Sequence, residues 1–234
     1  MYAVASMAAA SQRPSLRAEQ LASVAVFPLP HVVLFPGARL PLHIFEPRYR
    51  AMMVDVLAGG TGLLVVAQLE PGWQQDYAAQ PPIFPIAGIG EIERSQRNDD
   101  GTYDIELIGR ARVRLAELPM LDKPYRRAKA EPVPDLAAGE GLPESELASL
   151  FSLATQVARL VRNREPRFRL LGAPDDPPGL LMDKISDQLI GDPVQRQQLL
   201  ATLDLGDRLK AITSQIAHLH LTLLAGEDGG ATLH

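Results

Sequence analysis

The 234-residue chain contains no cysteine, which excludes disulfides, thiolate metal sites and thiol nucleophiles. No Gly-Lys pair occurs in it, so the phosphate-binding loop of P-loop ATPases is absent. The nucleophile elbow G-x-S-x-G and the zinc-protease motif H-E-x-x-H are missing too. His218 and His220 stand two apart on a predicted helix and point to different sides of it. We therefore expect no catalytic residues, no metal and no cofactor.

Other absences concern charge and hydropathy. No apolar run reaches the roughly 20 residues that span a bilayer. The net charge of −5 gives no general attraction to nucleic acid or anionic membranes, so such binding would need a local basic face. Together with the missing cysteines, this composition favours a cytoplasmic protein. Residues 1–22 lack the basic and strongly apolar regions of a signal peptide, and we expect a disordered leader there.

The most unusual stretch is residues 24–53, which hold five prolines and three phenylalanines among short apolar runs. Because proline fixes φ and lacks a backbone donor, neither a long helix nor an uninterrupted central strand fits here. We expect strands at residues 24–29 and 38–45 with a turn at 35–37, and Pro41 on a sheet edge or bulge. Pro47 then begins a helix, whose inward residues recur at helical spacing: Tyr49, Met52, Met53 and Val56.

Four further strands are expected at residues 63–69, 84–94, 103–118 and 125–133. The Asp-Gly step at residues 100–101 predicts a hairpin turn. Along residues 103–118, apolar and polar side chains alternate, which is typical of an antiparallel sheet with one buried face. That alternation assigns Arg110, Arg112 and Arg114 to the polar face.

After a segment rich in proline and glycine, the hydrophobic period becomes helical. We expect a linker at residues 134–143, a helical bundle at 144–226 and a flexible tail at 227–234. Asp192 is expected to cap a helix, and the last helix is expected to begin near Asp204. In the last helix the apolar residues step by four and three, which predicts a continuous packing seam.

The order FPL, VVLFPG, LPLHIFEPRYR resembles the opening of the N-terminal substrate-binding domain of Lon proteases. It is most similar to the stand-alone bacterial proteins that carry this domain, and a related domain occurs in cereblon. The tail DPVQRQQLLATLDLGDRLKAITSQIAHLHLTLL also resembles the end of the Lon N-terminal region. The resemblance covers residues 23–224.

This resemblance implies an α+β fold. A PUA-like, mostly antiparallel β barrel with one short helix would occupy residues 23–133, followed by the helical bundle. It also implies recognition of exposed apolar protein segments, or an adaptor role for a protease or chaperone, without catalysis. The chain has neither the length nor the motifs of the ATPase and serine-lysine protease modules of full Lon.

Recognition of apolar polypeptide needs exposed aromatic or aliphatic surface and a groove or free sheet edge. Five aromatic residues are the candidates for such contacts, although an aromatic beside strands belongs to the core more often than to a contact surface: Phe35, Tyr49, Trp73, Tyr77 and Phe84. We single out the loop around Trp73, which either folds back onto the barrel or forms a contact surface.

The most recognisable family motif surrounds the start of the first long helix. Its residues are assigned mainly structural roles: Pro28, Pro36, Gly37, Pro41, Phe45, Glu46, Arg48, Tyr49 and Arg50. Glu46 is expected to cap its helix while an arginine pairs or stacks across the barrel. In the alternative interpretation, Arg48 or Arg50 receives a peptide carboxylate.

Two basic features leave RNA binding open as a second function. The strand arginines could form a ladder, and residues 159–169 hold five arginines against one glutamate. Relatives of the PUA fold bind RNA. Acidic neighbours and the negative net charge favour a solvated or partner-binding face instead. A hydrolase of unrecognised type is the third alternative, but no spacing in the sequence suggests one.

Overall fold

A computed structural model of the chain describes residues 15–76, 80–137 and 141–225. Six strands form one sheet: β1 (Val24–Leu29), β2 (Arg39–Ile44), β3 (Leu63–Gln68), β4 (Ile86–Arg97), β5 (Tyr103–Leu118) and β6 (Arg126–Pro132). The α-helices are α1 (Ala18–Leu21), α2 (Pro47–Ala58), α3 (Glu144–Arg164), α4 (Pro178–Leu189), α5 (Pro193–Ala201) and α6 (Leu205–Leu224). The expected α+β fold class is confirmed.

The sheet runs in the order β2-β5-β4-β3-β1-β6, and a further pairing of β5 with β6 closes five of the strands into a ring. Among the six described strands, β1 and β3 pair in parallel and the other pairs are antiparallel. β2 pairs with β5 alone, which places Pro41 on an edge strand, where its missing donor is tolerated. Because β2 lies outside the ring, the sheet is not the clean barrel that the sequence suggested.

The centre of the sheet is buried on both faces, against two separate clusters. The inner cluster fills the ring with alternate residues such as Val26, Val65 and Val113. The outer cluster contains the intervening residues, for example Phe27 and Leu64, together with α2 and the bundle helices. β3 is therefore buried along its whole length, as an apolar run without alternation predicts.

The turn at residues 35–37 lies flat on the outer face of the sheet. The Gly37 amide donates to the Gly109 carbonyl at 2.9 Å, and the Gly109 amide donates to the Ala38 carbonyl at 2.9 Å. A Cβ atom at Gly88 or Gly109 would overlap the carbonyl oxygens of Leu34 and Phe35 respectively. These glycines let the backbone of the motif segment touch the sheet directly.

The helix predictions hold with small shifts. Pro47 begins α2, Gly59 caps its C-terminus, and its four predicted inward residues are buried. Asp192 and Asp204 cap α5 and α6 by accepting from the amides of Gln195 and Asp207. The capping side chains satisfy donors that a helix start otherwise leaves unpaired.

Two predicted boundary segments are partly anchored. Leu21 at the end of α1 is buried in the inner cluster, so residues 18–21 belong to the fold and were wrongly included in the leader; residues 1–14 and 226–234 lie outside the described residues. In the predicted linker, the Leu136 amide donates to the Leu203 carbonyl at 2.9 Å and the Leu136 carbonyl accepts from Leu205 at 3.1 Å. The start of the linker is thus fixed to the start of α6.

Candidate binding site

A cavity of about 490 Å³ opens where β1, α2 and the connection from β5 to β6 meet. Its volume lies within the range of roughly 300–1,000 Å³ typical of ligand clefts. The lining residues among those described are Pro28, Arg48, Tyr49, Leu69, Gln80, Pro81, Met120, Pro124, Tyr125 and Arg126. Leu69, Gln80 and Pro81 stand at the two ends of the loop that contains Trp73.

The cavity exists because two neighbouring strands differ in extent. β6 begins at Arg126 and pairs with β1 only as far as Val26. The last residues of β1, including Pro28, have partners on β3 but none on β6. Since proline has no amide hydrogen, Pro28 leaves no backbone donor unpaired at this open edge.

Two arginines form part of the wall, and both are paired. Arg48 binds Glu46, with its Nε 3.0 Å and its Nη2 2.9 Å from Oε2, and its guanidinium lies 4.6 Å from the centroid of the Tyr49 ring. Arg126 donates to Glu117 at 2.8 Å and to the Pro81 carbonyl at 2.6 Å. The wall is therefore polar in places without carrying an unpaired arginine charge.

Tyr125 closes one side of the cavity and is held by α2. Its hydroxyl donates to Asp55 at 2.7 Å, and Lys123 lies 3.0 Å from the same carboxylate. The Tyr125 hydrogen bond and Lys123 lower the pKa of Asp55. Burial, together with this carboxylate, raises the pKa of the Tyr125 hydroxyl well above its usual value. The phenol thus stays neutral and acts as a donor.

The aromatic residues selected from the sequence lie in different environments. Phe35 is fully buried, with its ring 5.2 Å from the Arg196 guanidinium, so it has no surface for a ligand and the structure removes it from the candidate contacts. Tyr49 is 3% exposed and packs edge-on against Phe27 at 4.5 Å, yet it still lines the cavity.

Trp73 and Phe84 are both half-buried. Trp73 packs on the inner cluster and lies 6.3 Å from the His31 ring, so its loop folds back onto the sheet. The Phe84 amide donates to the Gln68 carbonyl at 3.0 Å and helps close the base of that loop. Tyr77 lies outside the described residues. Among the described aromatics, the structure therefore brings only Tyr49, and the unpredicted Tyr125, to the cavity.

The sequence did not identify seven residues of the cavity wall as ligand contacts: Leu69, Gln80, Pro81, Met120, Pro124, Tyr125 and Arg126. Four of them belong to residues 120–126, a segment without a motif that joins one predicted strand to the start of the next. The one available signal was Tyr125, an aromatic residue at the start of a predicted strand and directly after a proline. Only the fold shows that this segment faces the loop containing Trp73.

The residues of the family motif make several different contacts around the start of α2. Glu46 occupies the N-cap position but its side chain makes no capping bond there; it pairs with Arg48 instead. The Arg50 guanidinium packs closely over Gly101 in the β4–β5 turn. Phe45 is 63% exposed and stacks on His43 at 6.2 Å. His43 in turn bonds Asp104 at 2.7 Å, so it has a structural role.

The expected ladder of strand arginines is wrong. Arg112 is buried, because it crosses from β5 to α4 and binds Asp183. Arg110 pairs with Glu91 and is largely covered, which leaves Arg114 as the exposed member. The arginines of residues 159–169 are all exposed at the end of α3. The strand arginines therefore do not form the exposed basic surface that the RNA-binding hypothesis requires of them.

The fold and cavity define an α+β protein in which a partly closed sheet, covered by a helical bundle, presents a cleft at an open strand edge. No described helix is long and apolar enough to cross a membrane, and no three metal-ligating side chains cluster within the described ranges. Residues 23–218 match the family described as the ATP-dependent protease La (LON) substrate-binding domain. The chain belongs to this family, which confirms the resemblance seen in the sequence.

Individual relatives agree. The chain is 22% identical over 196 residues to a Lon protease of Desulfosudis oleivorans, covering 84% of this chain and 24% of that protein. It is 28% identical over 194 residues to a Lon protease of Roseiflexus castenholzii, covering 81% of this chain and 23% of that protein. The chain thus spans about a quarter of the length of these curated relatives.

Solved structures show the same fold. The N-terminal domain of a Mycobacterium avium complex Lon protease has a TM-score of 0.60 at 19% identity, covering 83% of this chain and 98% of that one. A Lon N-terminal domain protein from Xanthomonas campestris has a TM-score of 0.56 at 23% identity, covering 82% and 97%. The whole length of each domain is therefore represented here.

Proposed function

We propose that this chain is a non-catalytic polypeptide-recognition module that binds exposed apolar segments of unfolded proteins in the cytoplasm. The observation that carries the proposal is the cavity at the open end of β1, in a chain that belongs to a substrate-binding family. Its walls combine aromatic, proline and aliphatic side chains, which suit apolar polypeptide, with Gln80 and the paired arginines Arg48 and Arg126. Tyr49 and Tyr125 are the aromatic contacts we assign to it.

A permanently unfolded probe tests this function. A reduced and carboxymethylated protein should bind the chain in isothermal titration calorimetry, with a negative heat-capacity change that reports apolar burial. The same protein in its native, disulfide-bonded form is the control and should not bind. Equal binding of the two forms, or no binding of either, would refute the proposal.

As an adaptor, the chain would deliver such segments to a protease or chaperone. The test is the rate at which a purified ATP-dependent protease degrades the unfolded probe with and without the chain. An increased rate supports delivery, whereas a decreased rate means that the chain only sequesters the probe. The second result would retain recognition and remove the adaptor role.

A further inference from the structure

The cavity has features that select among apolar ligands. Building on the proposed function, we propose that it takes a single uncharged side chain of aromatic or large aliphatic size from an extended segment. The side chain enters as an anchor, and the ligand backbone does not add to the sheet as a strand. This inference defines both the chemical class of the ligand residue and the mode of its recognition.

Charge is balanced at the cavity and its border. Each basic side chain there contacts a carboxylate: Arg48 with Glu46, Lys123 with Asp55, Arg126 with Glu117 and Arg127 with Asp122. A ligand carboxylate or ammonium would have to break one of these pairs or lie against apolar wall without a partner. Both outcomes are unfavourable, because an unpaired charge removed from water is strongly destabilised. An uncharged side chain meets neither penalty.

The walls favour a large apolar group. Pro28, Pro81 and Pro124 contribute ring surfaces that have almost no rotamer freedom to lose. Tyr125 is held by Asp55 at 2.7 Å, and Tyr49 by its packing on Phe27. A wall that is already ordered loses little conformational entropy when a ligand enters. Met120 is the adaptable member, since its unbranched side chain can fit differently shaped groups.

Strand addition requires alternating backbone donors and acceptors along an edge, and Pro28 removes the donor that β1 would offer at its open end. Leu29 faces the other way, since its carbonyl accepts from the Leu69 amide at 3.1 Å. The base of the adjacent loop is paired within itself, from the Glu70 amide to the Pro82 carbonyl at 2.9 Å. A ligand strand would therefore lose a ladder hydrogen bond at Pro28, and this edge favours recognition through the side chain.

Guest peptides test the ligand class. We would titrate the 15N-labelled chain with eleven-residue Gly-Ser peptides that carry Phe, Leu, Asp or Lys at the centre, and follow amide shifts. The Phe and Leu peptides should bind at least about tenfold more tightly than the Asp and Lys peptides. N-methylation of the amides next to the guest should change the affinity by less than about threefold. Equal binding of all guests, or loss of binding on N-methylation, would overturn the inference.

A pair of variants tests whether this cavity is the site where the side chain binds. Met120→Lys puts a charge in the wall, whereas Leu121→Lys adds the same charge to the next residue, which is 87% exposed and does not line the cavity. Met120→Lys should weaken Phe-peptide binding by at least about tenfold, and Leu121→Lys should leave it unchanged. Equal loss in both variants, or no loss in Met120→Lys, would place the anchor elsewhere.

The unfolded probe separates failure of this inference from failure of the proposed function. If wild-type chain and Met120→Lys bind the carboxymethylated protein equally well, recognition stands but this cavity is not the anchor. If the wild type binds neither probe nor peptides, the proposed function itself fails. Thermal melting of both lysine variants serves as the folding control, and both should melt with the wild type, since each residue retains contact with solvent.

Discussion

Arg112 of β5 and Asp183 of α4, 71 residues apart in sequence, form a two-bond ion pair whose side chains are 3% and 2% exposed. Arg112 Nη1 lies 2.8 Å from Asp183 Oδ2, and its Nη2 contacts Oδ1. Arg208 of α6, also fully buried, approaches the same carboxylate at 3.4 Å and pairs with Asp135 at 2.5 Å. The sheet, the linker and two bundle helices thus share one buried charge cluster.

Asp183→Ala should destabilise the chain by about 3–5 kcal/mol, because it leaves buried arginines without their carboxylate. Urea unfolding measures the change. Arg114→Ala, an exposed arginine two residues along the same strand from Arg112, is the control and should stay within about 0.5 kcal/mol of the wild type. A loss below about 1 kcal/mol for Asp183→Ala would mean that water reaches the cluster.

Gly179→Ala should destabilise the chain even though alanine normally favours a helix by roughly 1 kcal/mol over glycine. The added Cβ would overlap the Asp135 carboxylate, which Arg208 holds in place. We expect a net loss of about 1–2 kcal/mol, as for other overpacked sites. In an Asp135→Ala background the same change should become neutral or stabilising; a penalty that persists there would show that the obstacle is another atom.

Gly109→Ala should cost at least about 3 kcal/mol in chemical unfolding, at the upper end for overpacking. The new Cβ would overlap the backbone carbonyl of Phe35. Two hydrogen bonds between Gly109 and residues 37–38 hold this backbone in place, so it cannot move away as a flexible side chain can. Gly59→Ala is the matched control, since Gly59 has φ −70 at the end of α2, a conformation alanine adopts freely. Similar stabilities for the two variants would contradict the close approach.

Tyr125→Phe should raise the pKa of Asp55 toward its ordinary value, because the phenol is the main cause of its lowering. Carboxyl 13C NMR measures this directly. A carboxylate with a lowered folded-state pKa stabilises the fold above its unfolded pKa of about 3.9 and loses that contribution as the pH falls through the folded value. The Tm difference between wild type and Tyr125→Phe should therefore shrink in acid. A difference independent of pH would assign the effect to packing alone.

The sequence predicted local structure well where prolines and glycines mark the ends of an element and where its hydrophobic residues recur at a clear spacing. β1, α2 and β5 begin and end within a residue or so of the expected positions, because prolines, glycines and clean alternation define them. The sequence did not predict which strands pair. β1 lies beside β3 and β6 and far from β2, although only nine residues separate the end of β1 from the start of β2 in the chain. Hydrophobic period reports which residues are buried, not what they are buried against.

Arg112 illustrates why the candidate site was harder to predict from the sequence than the secondary structure. Alternation assigned it to a solvated face, but a register shift between Gly109 and Ala111 puts Ala111 and Val113 in the inner cluster and turns Arg112 to the outer face, where the bundle supplies Asp183. The cavity likewise combines residues 28, 48–49, 69, 80–81, 120 and 124–126, and no contiguous binding motif covers them. Tertiary proximity between distant segments decided both cases.

The two-sided burial of the sheet has a consequence for synthesis on the ribosome. The ring closes only when β6 arrives, and the outer cluster stays open until Leu181, Met182 and Leu209 have been made. A sheet that forms before those residues are made would leave Phe35 and its neighbours in water. The protein for which we propose recognition of exposed apolar segments would then display such segments itself during part of its synthesis.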